Sequence, residues 1–481
     1  MSCAGRSALL FTFLSSGFAQ TLVFEHATVI DATGAAPKRN MSVVVSDGRI
    51  MSIKSDAIRP EAGPAAGAIV IDATGKFLIP GLWDMHAHVP VPQISLPLFV
   101  ANGVTGIREM YSGLPAASLR QWATLAEAPR IAAPGFIDGP LMQSGANRID
   151  AMAVTSPEEA RAAVITFASR GVDFLKIYNS VPRDAFFALA EEARAAGVAV
   201  VGHVPETVSP AEASAAGMQS QEHLNNLLLG ASSQEEQLRA ERVAMMFDPK
   251  LTGQQRLRLL AWPLLAGLVD TYDEQKAAAM FQTFVGNHTW QTPTLSLLDG
   301  FIHERDSEVL QDPRRRYLPK IWTDNWDPTT VYYLRDESPA EYEVLRQRMR
   351  MLMTRYRKLV GDMHRAGVGL LAGTDTSPLN PVLPGWGLHQ ELALLVECGL
   401  TPLEALQTAT RNPALYFGTQ KDMGTLEEGK LADFVLLDAD PLADIHNTQA
   451  VAGVVLKGRY YSRGDLDALL ERVAALSAAA R

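Results

Sequence analysis

The sequence predicts an α/β protein: a (β/α)8 barrel of the TIM kind, carrying a small β-sandwich built from both chain ends. Three observations predict it. From Gly81 to about Gly418, apolar strand-like runs alternate with helix-like stretches, the mark of parallel βα units. Short alternating runs broken by turn residues fill Thr21 to Ile79, and similar runs return at Lys430 to Leu437 and Ala450 to Tyr461. The 481 residues also exceed the roughly 250 to 300 at which one core stops growing.

The chain opens with Arg6 ahead of a short apolar run, Ala8 to Leu14, and small residues ending Gly17-Phe18-Ala19. This is the pattern of an export signal, residues 1–19, too short for a bilayer span of about 20 residues. A periplasmic or secreted protein is expected. Cys3 stands on the wrong side of the apolar run for lipid attachment. Its loss with the signal leaves Cys398 alone, without an intramolecular disulfide.

Residues 20–79 and 419–465 form the expected sandwich. Its first half holds Leu22 to Ile30, Ser42 to Val45, Arg49 to Ile53 and Ala68 to Ile71, with turns at Asp47-Gly48 and Thr74-Gly75. Residues 80–418 form the barrel. Val172 to Tyr178 and Val198 to His203 are strands followed by helical stretches, Pro182 to Ala196 and Pro210 to Ala216. Trp290 to Leu295 is strand seven and Gly367 to Thr374 the last strand. A helix then starts at Thr401, Pro402 and Glu404, a capping box with proline in the first turn.

His223 and Asp375, placed on strands six and eight, lie about 150 residues apart, several times a βα repeat of ~30. A helical insertion over about 230–360 fills that gap, in the stretches Gln234 to Gln282 and Arg305 to Arg357. The second stretch carries Trp322, Trp326, Tyr332 and Tyr333. It is either a cap over the pocket or a solvated excursion.

Composition narrows the function. With 47% hydrophobic and 20% charged residues, neither disorder nor a membrane class is favoured. The net charge of -10 supplies no basic field for nucleic acid. The expected partner is a small molecule, and a homo-oligomer stays open.

The strongest local signal is Phe77-Leu78-Ile79-Pro80-Gly81-Leu82-Trp83-Asp84-Met85-His86-Ala87-His88-Val89. Strand residues at i and i+2 share a face about 7 Å apart, so His86 and His88 project together and can grip one divalent cation. Four more candidates stand at or near the C-terminal ends of expected strands: Lys176, His203, His223 and Asp375. Barrel enzymes build their sites at that end. Each has a plainer reading alone: a buried ion pair for Lys176, packed core histidines, and a turn cap for Asp375. A buried ammonium costs on the order of several kcal/mol unless paired. The alternative is a lysine that loses its proton and takes up CO2, giving an anionic bridge between two cations. All six around one rim favour a metal centre.

Tyr178, two residues past Lys176 on the same face, is read as a substrate-binding donor. His288 and Thr289, ahead of strand seven, are read as reaching the pocket. Arg108, after the second barrel strand, is read as a pocket residue or instead as one half of a structural ion pair, and His389 as packing or as support behind the site. His26, His303, His364 and His446 have no supporting context.

These motifs resemble the amidohydrolase superfamily, in the imidazolonepropionase-like branch that includes Xaa-Pro dipeptidases with a carbamylated lysine. The resemblance covers nearly the whole mature chain. It runs through the His86-Ala87-His88 segment, Leu175-Lys176-Ile177-Tyr178, Gly373-Thr374-Asp375, and the tail Gly424-Thr425-Leu426-Glu427-Glu428-Gly429-Lys430-Leu431-Ala432-Asp433-Phe434-Val435-Leu436-Leu437. The long insertion departs from it.

The resemblance implies that His86, His88 and Asp375 hold the more buried of two divalent ions and that His203 and His223 hold the second. Lys176, as its carbamate, bridges them. Such donors suit zinc, with manganese or cobalt compatible on geometry. It also implies cleavage of an amide bond in a dipeptide or N-acyl amino acid by a hydroxide between the ions, Asp375 acting as general base and then acid. A cyclic amide, lactone or carbamate would suit the same hydroxide. A mononuclear deaminase or imidazolone hydrolase is the nearest enzymatic alternative. A non-catalytic scaffold is the remaining one, disfavoured by the six intact ligands.

Overall fold

The computed structural model describes residues 21–58, 67–143, 150–252, 255–256, 263–326 and 338–480. The expected signal, residues 1–19, and Tyr332 and Tyr333 lie outside the described residues. The N-terminal segment folds as β1 (Leu22–Val29), β2 (Lys38–Ser46), β3 (Arg49–Ser55), β4 (Ile69–Asp72) and β5 (Phe77–Pro80). Asp47 and Gly48 join β2 to β3 with φ of 51° and 72°, the doubly positive turn whose twist suits a two-residue hairpin.

The next strands are β6 (Leu82–Ala87), β7 (Val104–Glu109), β8 (Arg130–Ala132), β9 (Pro134–Asp138), β10 (Ala151–Ala153), β11 (Phe174–Ile177), β12 (Ala199–Gly202), β13 (Met218–Glu222) and β14 (Trp290–Thr292). They pair in parallel in two groups, β6-β7-β8 and β10-β9-β11-β12-β13-β14. Only Ala133 separates β8 from β9. At the far side, residues 367–376 bridge the groups in parallel through Gln291–Leu370 and Ala87–Thr376. The result is a TIM-barrel-like domain. Every residue of β6, β7 and β11 is buried, as expected of parallel strands covered on both faces. Charges on such strands therefore need a reason to be there.

Two expected strands differ. β14 stops at Thr292, short of Leu295, because Pro293 has no N–H to give the ladder and Thr294, at φ 50°, turns the chain into helix Leu295–His303. The expected last strand, Gly367 to Thr374, makes isolated bridges rather than a regular ladder. It passes so tightly that a Cβ on Gly373 would lie 2.6 Å from Thr292 and 2.8 Å from His86.

The insertion is divided by β14. Helices Glu235–Met246 and Glu274–Asn287 precede that strand, and Leu295–His303 and Pro339–Arg365 follow it. Trp322 and Trp326 are neither solvated nor set apart. They are buried with Ile94, Leu98, Tyr317 and Val473, against helix Pro92–Ala101 and the C-terminal helix Arg463–Ala479.

At the C-terminal end, β15 (Phe434–Leu437), β16 (Val451–Leu456) and β17 (Arg459–Ser462) return to the first strands. The expected run Ala450 to Tyr461 is thus a hairpin turning at Lys457-Gly458. β15 pairs antiparallel with β5, Leu436 opposite Leu78. Both chain ends join one eight-stranded sheet, in the order β17-β16-β15-β5-β1-β2-β3 with β4 beside β1. Phe24 meets Phe434 edge-on at 5.2 Å in its core, each such burial contributing about 1.5–3 kcal/mol. Among the described residues no helix is long and apolar enough to cross a membrane.

Candidate metal centre

Asp84, His86 and His88 lie at alternate positions on and just past β6, so they share one face. Asp84 ties this strand to the segment that delivers Asp375. Its Oδ1 accepts the backbone N–H of His86 and of Thr374, each at 3.1 Å, and its Oδ2 accepts the Thr374 hydroxyl at 2.7 Å. Burial pushes the Asp84 carboxyl up to about 7 despite these donors. The Asp375 N–H bonds to the His86 carbonyl at 2.7 Å. A φ of 55° then turns Asp375 toward the imidazoles.

Four imidazoles converge there, and in each the Nδ1 is occupied from outside. His86 Nδ1 meets Glu222 Oε2 at 3.0 Å, and His88 Nδ1 meets the Tyr111 carbonyl at 2.6 Å. His203 Nδ1 meets Asn179 Oδ1 at 2.7 Å, and His223 Nδ1 meets Thr294 Oγ1 at 2.6 Å. The Thr294 hydroxyl gives its own proton to the Pro293 carbonyl, so it accepts from His223. All four partners are acceptors, each Nδ1 carries the proton, and each Nε2 presents a lone pair.

Those Nε2 atoms face one another and Asp375. His88 Nε2 lies 2.9 Å and His86 Nε2 3.4 Å from Asp375 Oδ1, and His223 Nε2 lies 4.0 Å from Oδ2. His203 and His223 bring their Nε2 atoms within 3.0 Å of each other. Two lone pairs at that distance repel unless a cation or proton lies between them. Burial pushes His223 down to about 3 against the pull of Asp375, and burial with the charge of Lys176 holds His203 well below its ordinary value. Both pair members are therefore held neutral, the form that binds a metal. His86, His223 and Asp375 each offer one ligand atom within 4.8 Å of the others.

Lys176, on β11, is 1% exposed, and its Nζ has no hydrogen-bond partner among the described residues. Burial brings it down to about 8, although Glu222 and Asp375 pull the other way. The orphaned Lys176 Nζ and His86 Nε2, the facing His203 and His223 lone pairs and the N/O donor set all fit a metal centre.

The structure thus brings His86, His88, His203, His223, Asp375 and Lys176 to one end of the barrel. Tyr178 stands beside them, its ring 4.3 Å from that of His203. His288 does not join them. It is exposed, in a left-handed conformation ending helix Glu274–Asn287. It precedes β14 and so sits at the strand's opposite end from the cluster. Thr289 is buried against Ser214 at 2.7 Å. His389 is packed between Thr448 Oγ1 and the Asn102 carbonyl.

Sequence reasoning missed Glu222, Asn179 and Thr294 as holders of imidazoles. It read Arg108 as an ion-pair residue without finding its partner, which is Glu222 at 2.7 Å, both side chains fully buried. Two opposite charges on strands otherwise expected to be apolar were the available signal.

Residues 329–460, less than half of the chain, match the Amidohydrolase family. Among curated proteins, the ochratoxinase of Aspergillus niger is 43% identical over 83 residues, 17% of this chain and 16% of that protein. The match therefore spans about a sixth of the relative's length. Among solved structures, bottromycin amidohydrolase superposes with a TM-score of 0.69 at 24% identity, over 95% of this chain and 90% of that one. A putative prolidase from Bifidobacterium longum superposes at 0.65 and 23%, over 95% and 100%. These similarities establish a shared fold.

Proposed function

We propose that this protein is a metal-dependent amidohydrolase that cleaves the amide bond of a dipeptide or an N-acyl amino acid. One observation carries the reading: four imidazoles have Nδ1 tied to an outside acceptor, and their Nε2 atoms turn inward, those of His86, His88 and His223 to within 4.0 Å of Asp375 and that of His203 to within 3.0 Å of His223. A core histidine satisfied by packing would use both nitrogens, as His389 does. The match of residues 329–460 to the Amidohydrolase family and the names amidohydrolase and prolidase borne by the structural neighbours support amide-bond chemistry.

His86, His88 and Asp375 would hold one divalent ion and His203 and His223 a second, zinc suiting this donor set. Lys176 would stand between them as a carbamate, since an amine brought down to about 8 offers the neutral form that takes up CO2. Bound ions would polarise the scissile carbonyl and make hydroxide available near neutral pH.

The chain's own residues do the rest. Asp375 Oδ2, directed toward His223 and less engaged than Oδ1, accepts the proton of the attacking water. It returns that proton to the amine nitrogen as the C–N bond breaks. Tyr178, at the barrel mouth beside His203, donates a hydrogen bond to the substrate carboxylate.

A panel of dipeptides, N-acyl amino acids, lactones, cyclic amides and aminopurines, offered to the zinc-loaded protein, tests the reading. Release of a free amine from linear amides supports it. Turnover confined to lactones or to aminopurines, or none at all, would overturn it.

A further inference from the structure

The four imidazoles are not held alike. His88, His203 and His223 give their Nδ1 protons to neutral acceptors, namely the Tyr111 carbonyl, Asn179 Oδ1 and Thr294 Oγ1. His86 alone of the four gives its proton to a carboxylate, Glu222 Oε2, at 3.0 Å. An anionic acceptor on the far nitrogen raises the donor strength of an imidazole toward a metal. A neutral acceptor does so less.

Glu222 is built to stay charged and fixed. Its second oxygen accepts Arg108 Nη2 at 2.7 Å and the Ser220 hydroxyl at 2.6 Å. Arg108 spends its other donors on the Met85 carbonyl at 2.7 Å, Ser220 Oγ at 2.7 Å, Tyr416 Oη at 3.0 Å and Thr292 Oγ1 at 3.2 Å. Arg108 and Glu222 are both fully buried. The pair spans β6, β7, β13 and β14 beneath the imidazoles. Glu222 also immediately precedes His223, whose φ of 64° turns it into the cluster. Adjacent residues thus serve opposite halves of the site, one supporting His86 and the other contributing its own imidazole.

We propose that Glu222, fixed by Arg108, is a positioning residue that ranks the two ions, making the one on His86, His88 and Asp375 the more tightly held. This rests on the two-ion reading above.

The test is a chelator titration of the zinc-loaded protein, reading ions retained per chain. Wild type should release zinc in two separated steps. Glu222→Gln should weaken the tighter ion by about tenfold to a hundredfold, merging the steps while leaving the weaker ion in place. The double variant Arg108→Met/Glu222→Gln should do the same without stranding a buried guanidinium. It keeps the test sound if the single variant folds poorly by circular dichroism. Asn179→Asp supplies the converse on an intact pair: a carboxylate behind His203 should tighten the second ion and narrow the gap from the other side. Unchanged steps in the Glu222 variants, equal weakening of both ions, or no tightening in Asn179→Asp would overturn the ranking. A wild type that never holds more than one ion would instead overturn the two-ion reading on which the ranking rests.

Discussion

Glu391 offers a quantitative test of how this barrel supports its site. The side chain is fully buried on helix Trp386–Glu397, and it accepts the backbone N–H of Leu295 at 3.1 Å and of Ser296 at 2.7 Å. Those amides follow directly on Thr294, which holds His223. Burial raises the Glu391 carboxyl from 4.5 to about 7, with the charge of Asp84 adding to it and the two amides opposing. For an acid whose value rises on folding, the native state keeps a proton that the unfolded chain has lost. Stability then falls as pH climbs from the unfolded value to the folded one. A rise of that size corresponds to about 3 kcal/mol, fully expressed above pH ~7 and absent below pH ~4.5. Glu391→Gln removes the titration and keeps an acceptor for the amides. In urea unfolding of the chelated protein, the variant should gain about 2 to 3 kcal/mol on wild type between pH 5 and pH 8. A difference between the two proteins that stays flat across that range would refute the assignment.

Other outcomes follow from the site itself. Asp375→Asn should lower turnover by about 10²- to 10⁴-fold at matched zinc content, and near-normal turnover would remove Asp375 from proton transfer. Native mass spectrometry should find wild type heavier by one CO2 that acidification removes. Lys176→Met should lack it, and a wild type without it would leave Lys176 an unmodified amine. Tyr178→Phe should raise KM for carboxylate-bearing substrates by about tenfold, the loss of one hydrogen bond to a charged group, with little change in kcat. An equal fall in kcat would assign Tyr178 to the transition state instead.

The sequence carried much of this geometry because strand periodicity is local. His86 and His88 share a face through their spacing alone, and Lys176 stands out as an ammonium in an apolar run. Asp375 was legible from its place after an apolar segment. The acceptors behind the imidazoles were not, because each comes from another strand or loop. Asn179 follows β11 but serves a histidine after β12, and Thr294 follows β14 but serves one after β13. Glu222 and Arg108 lie 114 positions apart, and no periodicity links them. His288 failed for a different reason: proximity in sequence to strand seven does not say which end of the strand a residue occupies. The end segments were legible as strands from their turn signals, and they join one eight-stranded sheet. Within Ala450 to Tyr461, Gly458 marked the turn, and the chain folds back there between Leu456 and Arg459; Lys457, at φ 53°, takes a turn conformation that lysine rarely adopts.

Anomalous diffraction at the zinc edge, from crystals of the zinc-loaded protein, tests the central claim most directly. Two peaks should appear at this end of the barrel, one against His86, His88 and Asp375 and the other against His203 and His223. An empty map at these five residues, with zinc bound elsewhere or not at all, would contradict it.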